Sequence, residues 1–311
     1  MTDTERYRLL CEAEGSNIPL FQQHWWLQTV CQGKQWNVVL VEKDGRPVAA
    51  LPYLLRHKMG LRLIIQPPLT QFCGPWLSDT LTPTEQIDYT QQLVERIDNL
   101  NVHLYLQQCS PLFTNWLPYY WHNYRQTTRY TYILPDISNP KDLRAAAYKE
   151  RRKGLDAAAS QLHTDTDVNP QEFATMHQRY WQRRSGNDLL PEKFIVDVCT
   201  DALQRKQAML WGLRNGSNSL VAARFVVYDN RCAHSLMSAI SPDAPRNSMS
   251  LLVWQMIDHL SSLTQAFDFE GSMDPGIEHF YRSFGSVQTP FFRIGKARGI
   301  AAKILLNRLM P

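Results

Sequence analysis

The sequence FDFEGSMDPGIEHFYRSFGSVQTPFFRI, from Phe267 to Ile294, predicts a strand, a turn, a short helix and a second strand. Side chains alternate in an extended segment, so Phe267 and Phe269 are expected to face the core. Asp268 and Glu270 then face the opposite side, immediately before a Gly-Ser pair that breaks the strand. Two carboxylates at a strand end beside a tight turn indicate a functional site.

A short amphipathic helix is predicted after this turn. Asp274 is a suitable N-cap, and Pro275 fits the first helical turn, where no backbone donor is needed. Gly285 supplies the stop, while His279 and Arg282 lie beside the apolar stripe. The stripe has the spacing i, i+3, i+4 and i+7 of a buried helical face and consists of Ile277, Phe280, Tyr281 and Phe284.

The composition is that of an ordinary globular protein, with 44% hydrophobic and 20% charged residues in a chain of 311. Such a length predicts two domains of roughly 150 residues. The net charge of +4 is small for a dedicated nucleic-acid-binding protein but permits a local basic surface. Six cysteines without a C-x-x-C pair predict reduced thiols and no zinc site.

The N-terminus is polar, and no run approaches the roughly 18 apolar residues of a membrane span. We therefore expect a cytoplasmic protein without a transmembrane segment. Strands and helices alternate along the chain without a glycine-rich phosphate loop or a nucleophile elbow. The best domain boundary lies near residue 137, followed by a predicted basic helix over residues 140–158.

Three segments together resemble FemAB-like acyltransferases of the GNAT superfamily, of the BioF2-like acetyltransferase domain type. They are the signature D-F-E-G-S-M-x-x-G-I-E-x-F-Y-R-x-F-G, the segment PLFQQHWWLQTV (19–30) and the basic segment DLRAAAYKERRKGLDAA (142–158). The resemblance implies an α/β fold with a mixed α+β sheet, arranged as two tandem GNAT-like domains. These would span residues 1–137 and 138–311, with the second carrying the main site.

The same resemblance implies an N-acyltransferase of the cell envelope that moves an acyl group from acyl-CoA to an amine, with no metal. The acceptor would be a small molecule or a lipid-linked cell-wall or polysaccharide precursor. One alternative is a FemAB-type aminoacyltransferase, which would use aminoacyl-tRNA and bind tRNA. Another is a non-catalytic protein that binds the precursor.

Acid-base chemistry is predicted around the signature turn, because an attacking amine must lose a proton. Glu270 is the preferred base. A structural alternative is that the carboxylates hydrogen-bond the turn and that Arg282 pairs with Glu278, four residues before it. The candidate catalytic residues are Glu270, Asp268, His279 and Tyr281.

Two segments are candidates for cofactor binding. In GNAT enzymes the helix after a loop equivalent to Ser241–Ser248 receives the cofactor pyrophosphate at its N-terminus. Here Met249 and Leu251 replace the small residues of the family's Q/R-x-x-G-x-G/A pattern, so an ordinary capped helix is the alternative. The basic segment could bind phosphates or form a solvated surface. The cofactor-binding candidates are Arg246, Asn247, Ser248, Arg151 and Arg152.

Substrate binding is predicted for five further residues. Tyr148 would share a helical face with Arg144, Arg151 and Arg152. Tyr180 and Arg184 lie four residues apart, on a helix that lines the acceptor cleft in the family. Arg224 is a charge within an apolar strand and so needs a ligand or a partner, for which Asp268 or Glu270 is expected. The substrate-binding candidates are Tyr148, Tyr180, Arg184, Arg224 and Arg282.

Overall fold

The computed structural model describes residues 1–33, 36–185 and 190–310. It has the mixed α/β architecture expected from the sequence, which is confirmed. The chain divides into two compact units, residues 1–129 with 290–311 and residues 130–289. This differs from the expected division at residue 137, because the last strand and helix pack with the N-terminal unit.

Helices and strands alternate throughout the described chain. The helices are α1 Asp3–Glu14, α2 His24–Cys31, α3 Pro83–Asn99, α4 Leu117–Trp121, α5 Pro140–Ala146, α6 Lys149–Arg152, α7 Leu155–Ala159, α8 Pro170–Ser185, α9 Glu192–Gln204, α10 Ser248–Leu260, α11 Pro275–Arg282 and α12 Ile300–Leu309. The strands are β1 Trp36–Lys43, β2 Arg46–Lys58, β3 Leu61–Ile65, β4 Trp76–Leu77, β5 Leu104–Gln108, β6 Arg125–Leu134, β7 His163–Asp165, β8 Ala208–Arg214, β9 Leu220–Tyr228, β10 Cys232–Ile240, β11 Ala266–Asp268 and β12 Val287–Ala297.

The first unit contains the strand order β1-β2-β3-β5-β12, with β4 paired to β2. Strand β12 runs antiparallel to β5, from Arg293 opposite Gln108 to Ala297 opposite Leu104. Helix α12 follows, and its Leu306 packs in one apolar cluster with residues of β3 and β5. The final strand and helix therefore complete the core of the N-terminal unit.

The second unit contains the strand order β6-β11-β10-β9-β8-β7. Strands β10 and β11 are parallel, with His234 opposite Asp268. Parallel neighbours need a crossover connection, and the chain between them supplies α10. This helix buries Leu252, Trp254 and Ile257 in the core of the unit. Strand β10 also has an irregular register against β9 between Ser235 and Met237.

The prediction of a continuous basic helix over residues 140–158 is wrong. Three short helices, α5, α6 and α7, replace it. Ala147 is extended (φ −64°, ψ 157°), and the Tyr148 amide donates to the carbonyl of Ser283 at 2.9 Å. Gly154 then adopts φ +74°, which favours glycine. A tertiary contact and a left-handed residue thus interrupt the helix, and its basic side chains do not share one face.

Two further features concern the cysteines and the length of the apolar helices. Each of the six cysteines is a free thiol. Within residues 1–33, 36–185 and 190–310, the longest apolar helices fall short of what is needed to cross a bilayer.

Candidate active site

A cavity of about 620 Å³ opens in the second unit. It is bordered by α8, by β10, by the turn after β11 and by α11. Volumes of this order are typical of small-molecule sites. The polar residues that line it include His177, Tyr180, Arg184, Arg224, Ser235, Glu270 and Tyr281.

Glu270 is held at the cavity by a tight turn. Its backbone is left-handed at φ +64°, which is uncommon for a residue with a side chain. The Asp268 carboxylate accepts the Glu270 amide at 2.7 Å and a hydrogen bond from the Thr131 hydroxyl. A Cβ on the next residue, Gly271, would lie 2.2 Å from the carbonyl oxygen of Tyr130, so only glycine fits. The strained turn is therefore specified by its neighbours.

Asp268 thus has the structural role that was its alternative, and it is almost fully buried. The expected alternation is correct for Phe267 and Phe269, which are both buried. The opposite side is not open to solvent, however, because Thr131 and His234 pack against Asp268. Of the two signature carboxylates, Glu270 is the one that lines the cavity.

His234 on β10 is the residue of this cluster that the sequence analysis missed. Its Nδ1 lies 3.6 Å from an oxygen of Asp268 and 3.5 Å from an oxygen of Glu270. The parallel pairing of β10 with β11 creates this contact between residues distant in sequence. A signal was present, since a histidine inside an alternating apolar strand needs a partner for the same reason as Arg224.

The cluster contains two groups with perturbed pKa values. Burial raises the pKa of Glu270 to about 7, a rise that Asp268 reinforces and His234 opposes. Burial alone would lower the pKa of His234, but Cys232, Asp268 and Glu270 outweigh it and hold that pKa well above its ordinary value. One imidazolium between two buried carboxylates neutralises one of them, and the other tends to keep its proton. Glu270 consequently changes charge near neutral pH.

Arg224 is buried beside the same cavity, but Asp268 and Glu270, its expected partners, are not paired with it. His234, rather than Arg224, contacts Asp268 and Glu270. The Arg224 guanidinium donates to the Ser235 hydroxyl, and its Nε has no hydrogen-bond partner among the described residues. Burial lowers its pKa, and the neighbouring tyrosine hydroxyls 180 and 281 only partly offset this.

Aromatic residues form much of the remaining wall. The Tyr281 ring stacks on Phe269 with centroids 5.1 Å apart, and burial raises the pKa of its hydroxyl. Arg184 donates to the Tyr180 hydroxyl at 3.1 Å. His177 accepts from a neighbouring indole, and burial lowers its pKa to about 4, so its imidazole is neutral at pH 7. The structure thus brings Tyr180, Arg184 and Tyr281 together with Glu270.

Three of the catalytic and substrate-binding candidates lie together outside this cavity, namely Tyr148, His279 and Arg282. His279 is half-exposed and contacts Glu150 at 2.8 Å. Arg282 donates to Glu278 at 2.7 Å, as its structural alternative predicted, and lies 3.4 Å from the Tyr148 hydroxyl. These residues form a surface cluster on α11 and α6, and His279 is not brought to Glu270.

The predicted cofactor-binding residues lie near the N-terminus of α10. Arg246, Asn247 and Arg151 line a second cavity of about 730 Å³, together with Lys153. Asn247 donates to the carbonyl of Lys153 at 3.1 Å. Ser248 is buried and donates to a carbonyl of its own loop, while Arg152 is exposed. Three cationic side chains thus surround a helix N-terminus, a combination that suits an anion.

Arg151 also has a clear packing role. It donates to the Ser283 hydroxyl at 2.6 Å and to the Ser250 hydroxyl at 3.0 Å. Its guanidinium lies 4.7 Å from the ring centre of Phe280. Arg151 therefore links α6 to α10 and α11, and its side chain is mostly buried.

Among the residues that the structure describes, no group of three or more His, Cys, Asp or Glu side chains is arranged so that it could hold a metal ion. Residues 141–276 match the family model of the acetyltransferase (GNAT) domain. No curated protein matches the sequence significantly.

Solved structures with the same fold include FemX, at 11% identity and a TM-score of 0.70 over 94% of this chain and 96% of that one. L-PGS from Bacillus licheniformis is 14% identical, with a TM-score of 0.60 over 99% and 97% of the two chains. A tandem GNAT protein from the clavulanic acid biosynthesis pathway is 10% identical, with a TM-score of 0.51 over 96% and 94%. The resemblance seen in the sequence is confirmed: residues 141–276 match a GNAT-type acetyltransferase domain, and the chain has the fold of FemX.

Proposed function

We propose that this acyltransferase moves an acyl group from acyl-CoA to an amine, with Glu270 as the general base. The observation that carries the proposal is the position of Glu270, which borders the 620 Å³ cavity and whose carboxyl pKa is raised by burial to about 7. A base whose pKa lies near the working pH can both accept and release a proton efficiently. The strained backbone of this residue supports a functional role.

The chemistry follows from the requirements of an amine nucleophile. An ammonium group gives its proton to the Glu270 carboxylate, and the freed nitrogen attacks the carbonyl carbon of the thioester. The carbon–sulfur bond then breaks, and the CoA sulfur leaves with the electron pair. The proton that the new amide nitrogen loses yields the thiol, and Glu270 releases its own proton to solvent before the next cycle. Tyr281 keeps its proton at neutral pH because its pKa is raised, so its hydroxyl can donate a hydrogen bond to the developing charge.

His234 and Asp268 act through Glu270 in this proposal. The imidazolium of His234 lies beside both carboxylates, so it favours the ionised form of Glu270. Asp268 has the opposite effect and favours the protonated form. Their balance places the proton affinity of Glu270 between that of an ordinary carboxylate and that of an amine. We regard His234 and Asp268 as positioning residues.

The second cavity is the proposed donor site. Arg151, Lys153 and Arg246 line it beside the first turn of α10, and CoA carries phosphates that such a surface can bind. The family resemblance makes aminoacyl-tRNA the alternative donor. Another solved structure with this fold, 15% identical, is the C-terminal domain of a putative lysylphosphatidylglycerol synthetase from Agrobacterium fabrum, which supports a lipid-linked acceptor as an alternative to a small molecule. We also propose a cytoplasmic location and a role in building the cell envelope, with a non-catalytic protein that binds the precursor as the alternative function.

The test compares Glu270→Gln with a matched variant, Glu278→Gln. Both replace a carboxylate with an amide of the same size, but Glu278 lies on the neighbouring helix and pairs with Arg282. Release of CoA thiol from acetyl-CoA is measured in the presence of a panel of amines and amino acids. We expect kcat to fall on the order of 10²-fold or more in Glu270→Gln and to change little in Glu278→Gln.

The donor is identified by calorimetric titration with CoA, with acetyl-CoA and with uncharged tRNA at two salt concentrations. Saturable CoA binding that weakens in an Arg246→Ala variant supports the acyl-CoA proposal. Salt-sensitive binding of tRNA alone would favour the aminoacyltransferase. Equal turnover in wild type and Glu270→Gln would show that Glu270 is not the general base. If neither CoA nor tRNA binds, the non-catalytic binding protein is favoured.

A further inference from the structure

Arg224 is a buried cation that has no carboxylate partner among the described residues. It lies on β9, its exposed fraction is 3%, and it borders the 620 Å³ cavity. Among residues 1–33, 36–185 and 190–310, no carboxylate oxygen lies within 4.0 Å of its guanidinium. A charge taken out of water without a partner is strongly unfavourable. The fold therefore tolerates an arrangement that a bound anion would stabilise.

The surroundings of Arg224 show how the site is built. Ser235, itself 95% buried, accepts one hydrogen bond from the guanidinium. It lies at the register irregularity of β10, where the pairing with β9 shifts. The other groups that act on the charge of Arg224 are the hydroxyls of Tyr180 and Tyr281. These partners are neutral, and the Nε–H donor stays unused by the described protein atoms.

The unused donor indicates the kind of ligand. A guanidinium presents its N–H groups in a planar fork that matches a carboxylate through two parallel hydrogen bonds. Phosphate can use the same fork, but the cavity offers no second cation beside Arg224 other than Arg184, which is exposed at the rim. One buried cation balances the single negative charge of a carboxylate better than the greater charge of a phosphate.

The remaining lining of the cavity supports a small amphipathic ligand. Glu270 borders the same space and, when ionised, is suited to an ammonium group. Apolar side chains lie between the polar ones and include Met237, Met249 and Ile277. A cation, a carboxylate and apolar walls together complement a carboxylate, an ammonium group and an apolar body.

We propose that the acceptor is an amino-acid-type amine whose carboxylate binds Arg224 while its ammonium group faces Glu270. The inference rests on the proposed function for the role of the ammonium group, but not for the binding of the carboxylate. Arg224 then sets acceptor specificity, because an amine without a carboxylate would leave the guanidinium unpaired.

Binding is tested by calorimetry without any acyl donor. The probes are leucine, phenylalanine and lysine, each beside the amine that lacks the carboxyl group (isopentylamine, phenethylamine and cadaverine), with O-phosphoethanolamine as the phosphate analogue. We expect at least one amino acid to bind about tenfold or more tightly than its decarboxylated partner. The protein variants are Arg224→Met, Arg224→Lys and, as a matched control, Arg183→Met, whose residue is exposed outside this cavity.

Arg224→Met is expected to weaken amino-acid binding on the order of 10²-fold, since it removes a charge-assisted pair. Arg224→Lys keeps the charge but loses the fork, so it should be intermediate, and Arg183→Met should remain within about twofold of wild type. Circular dichroism melts establish whether each variant is folded. If Arg224→Met does not fold, the loss of amino-acid binding in Arg224→Lys tests the proposal.

Three results would overturn the inference: equal binding of amino acids and decarboxylated amines, preferential binding of O-phosphoethanolamine, or no binding of any probe at millimolar concentration. Amino-acid binding that depends on Arg224, combined with unchanged turnover in Glu270→Gln, would instead support this site and reject the proposed function.

Discussion

Replacing Glu270 with glutamine should alter how the stability of the protein depends on pH. The pKa of Glu270 rises from 4.5 to about 7 on folding, chiefly because the carboxyl group is buried. The folded protein therefore holds this proton more tightly than the unfolded chain does. Its contribution to stability is present below about pH 4.5 and is lost progressively as the pH rises to about 7.

The size of the effect follows from the same rise. At 1.36 kcal/mol per pH unit, the ionised carboxylate costs the folded state about 3 kcal/mol above pH 7. Glutamine has nearly the same shape but does not titrate. Relative to wild type, Glu270→Gln should therefore gain about 3 kcal/mol between pH 4.5 and pH 8. His234 contributes in a different window, since its raised pKa makes its stabilisation fade only as the pH rises above about 6.5.

The assay is urea unfolding of wild type and Glu270→Gln at pH 5, 6, 7 and 8. Glu278→Gln provides a control of opposite sign. Arg282 lowers the pKa of Glu278, so its carboxylate stabilises the folded state at higher pH and the amide should lose that benefit. If the difference between wild type and Glu270→Gln stays constant from pH 5 to pH 8, Glu270 is not a carboxyl group with a raised pKa, and its role as a base near neutral pH loses its physical support.

Further predictions concern stability. Gly271→Ala should destabilise the protein by about 2 kcal/mol or more in urea unfolding, because its Cβ would lie 2.2 Å from the Tyr130 carbonyl at a left-handed φ; a value near zero would mean that the turn relaxes freely. Arg151→Met should lower the free energy of unfolding by about 2 kcal/mol, because it removes two hydrogen bonds. A thermal melt of the variant that matches wild type would contradict this. Asp98→Ala should cost about 2 kcal/mol, since the carboxylate accepts from Lys296 at 2.7 and 2.9 Å. A double-mutant cycle that combines Lys296→Met with Asp98→Ala measures the coupling energy of the pair. A coupling energy of zero would show that this ion pair does not stabilise the fold.

The signature turn was predictable because its signals are local. Asp274 caps α11 by accepting from two backbone amides, and Pro275 opens the helix, as the sequence indicated. Gly271 breaks the strand and occupies a position where only glycine fits. The cap and the start of the helix are specified by residues close in sequence, so a single sequence contains that information. The approach of the Tyr130 carbonyl to Gly271 is a tertiary contact, which the sequence alone does not contain.

The charge cluster was only partly predictable, because its partners lie on different strands. Glu270 was recognised from the turn, but His234 reaches it through a parallel register that periodicity does not determine. Arg224 was recognised as a charge that needs a partner or a ligand, but the carboxylates suggested for it, Asp268 and Glu270, contact His234 instead. Knowing that a buried charge must be compensated does not tell which residue or ligand compensates it.

The basic segment shows how tertiary contacts override local periodicity. Its sequence has a helical pattern, but the Tyr148 amide bonds to Ser283 instead of continuing the helix. Arg144 pairs with Asp258, and Arg151 turns inward between two serines. Arg144 and Arg151 thus pack the segment against α10 and the end of α11, whereas Lys149, Arg152 and Lys153 remain exposed.

The place of β12 in the N-terminal unit has a consequence for synthesis on the ribosome. Residues 1–129 emerge before residues 130–289, whereas the strand that pairs with β5 and the helix that covers it follow that segment. Until then β5 has an unpaired edge that carries Leu104, Tyr105 and Leu106. The segment 130–289 is continuous and can fold as soon as it is made, so the earlier segment must wait for it. During that interval the nascent chain is most exposed to wrong strand pairing, and slower translation of the last residues should increase aggregation.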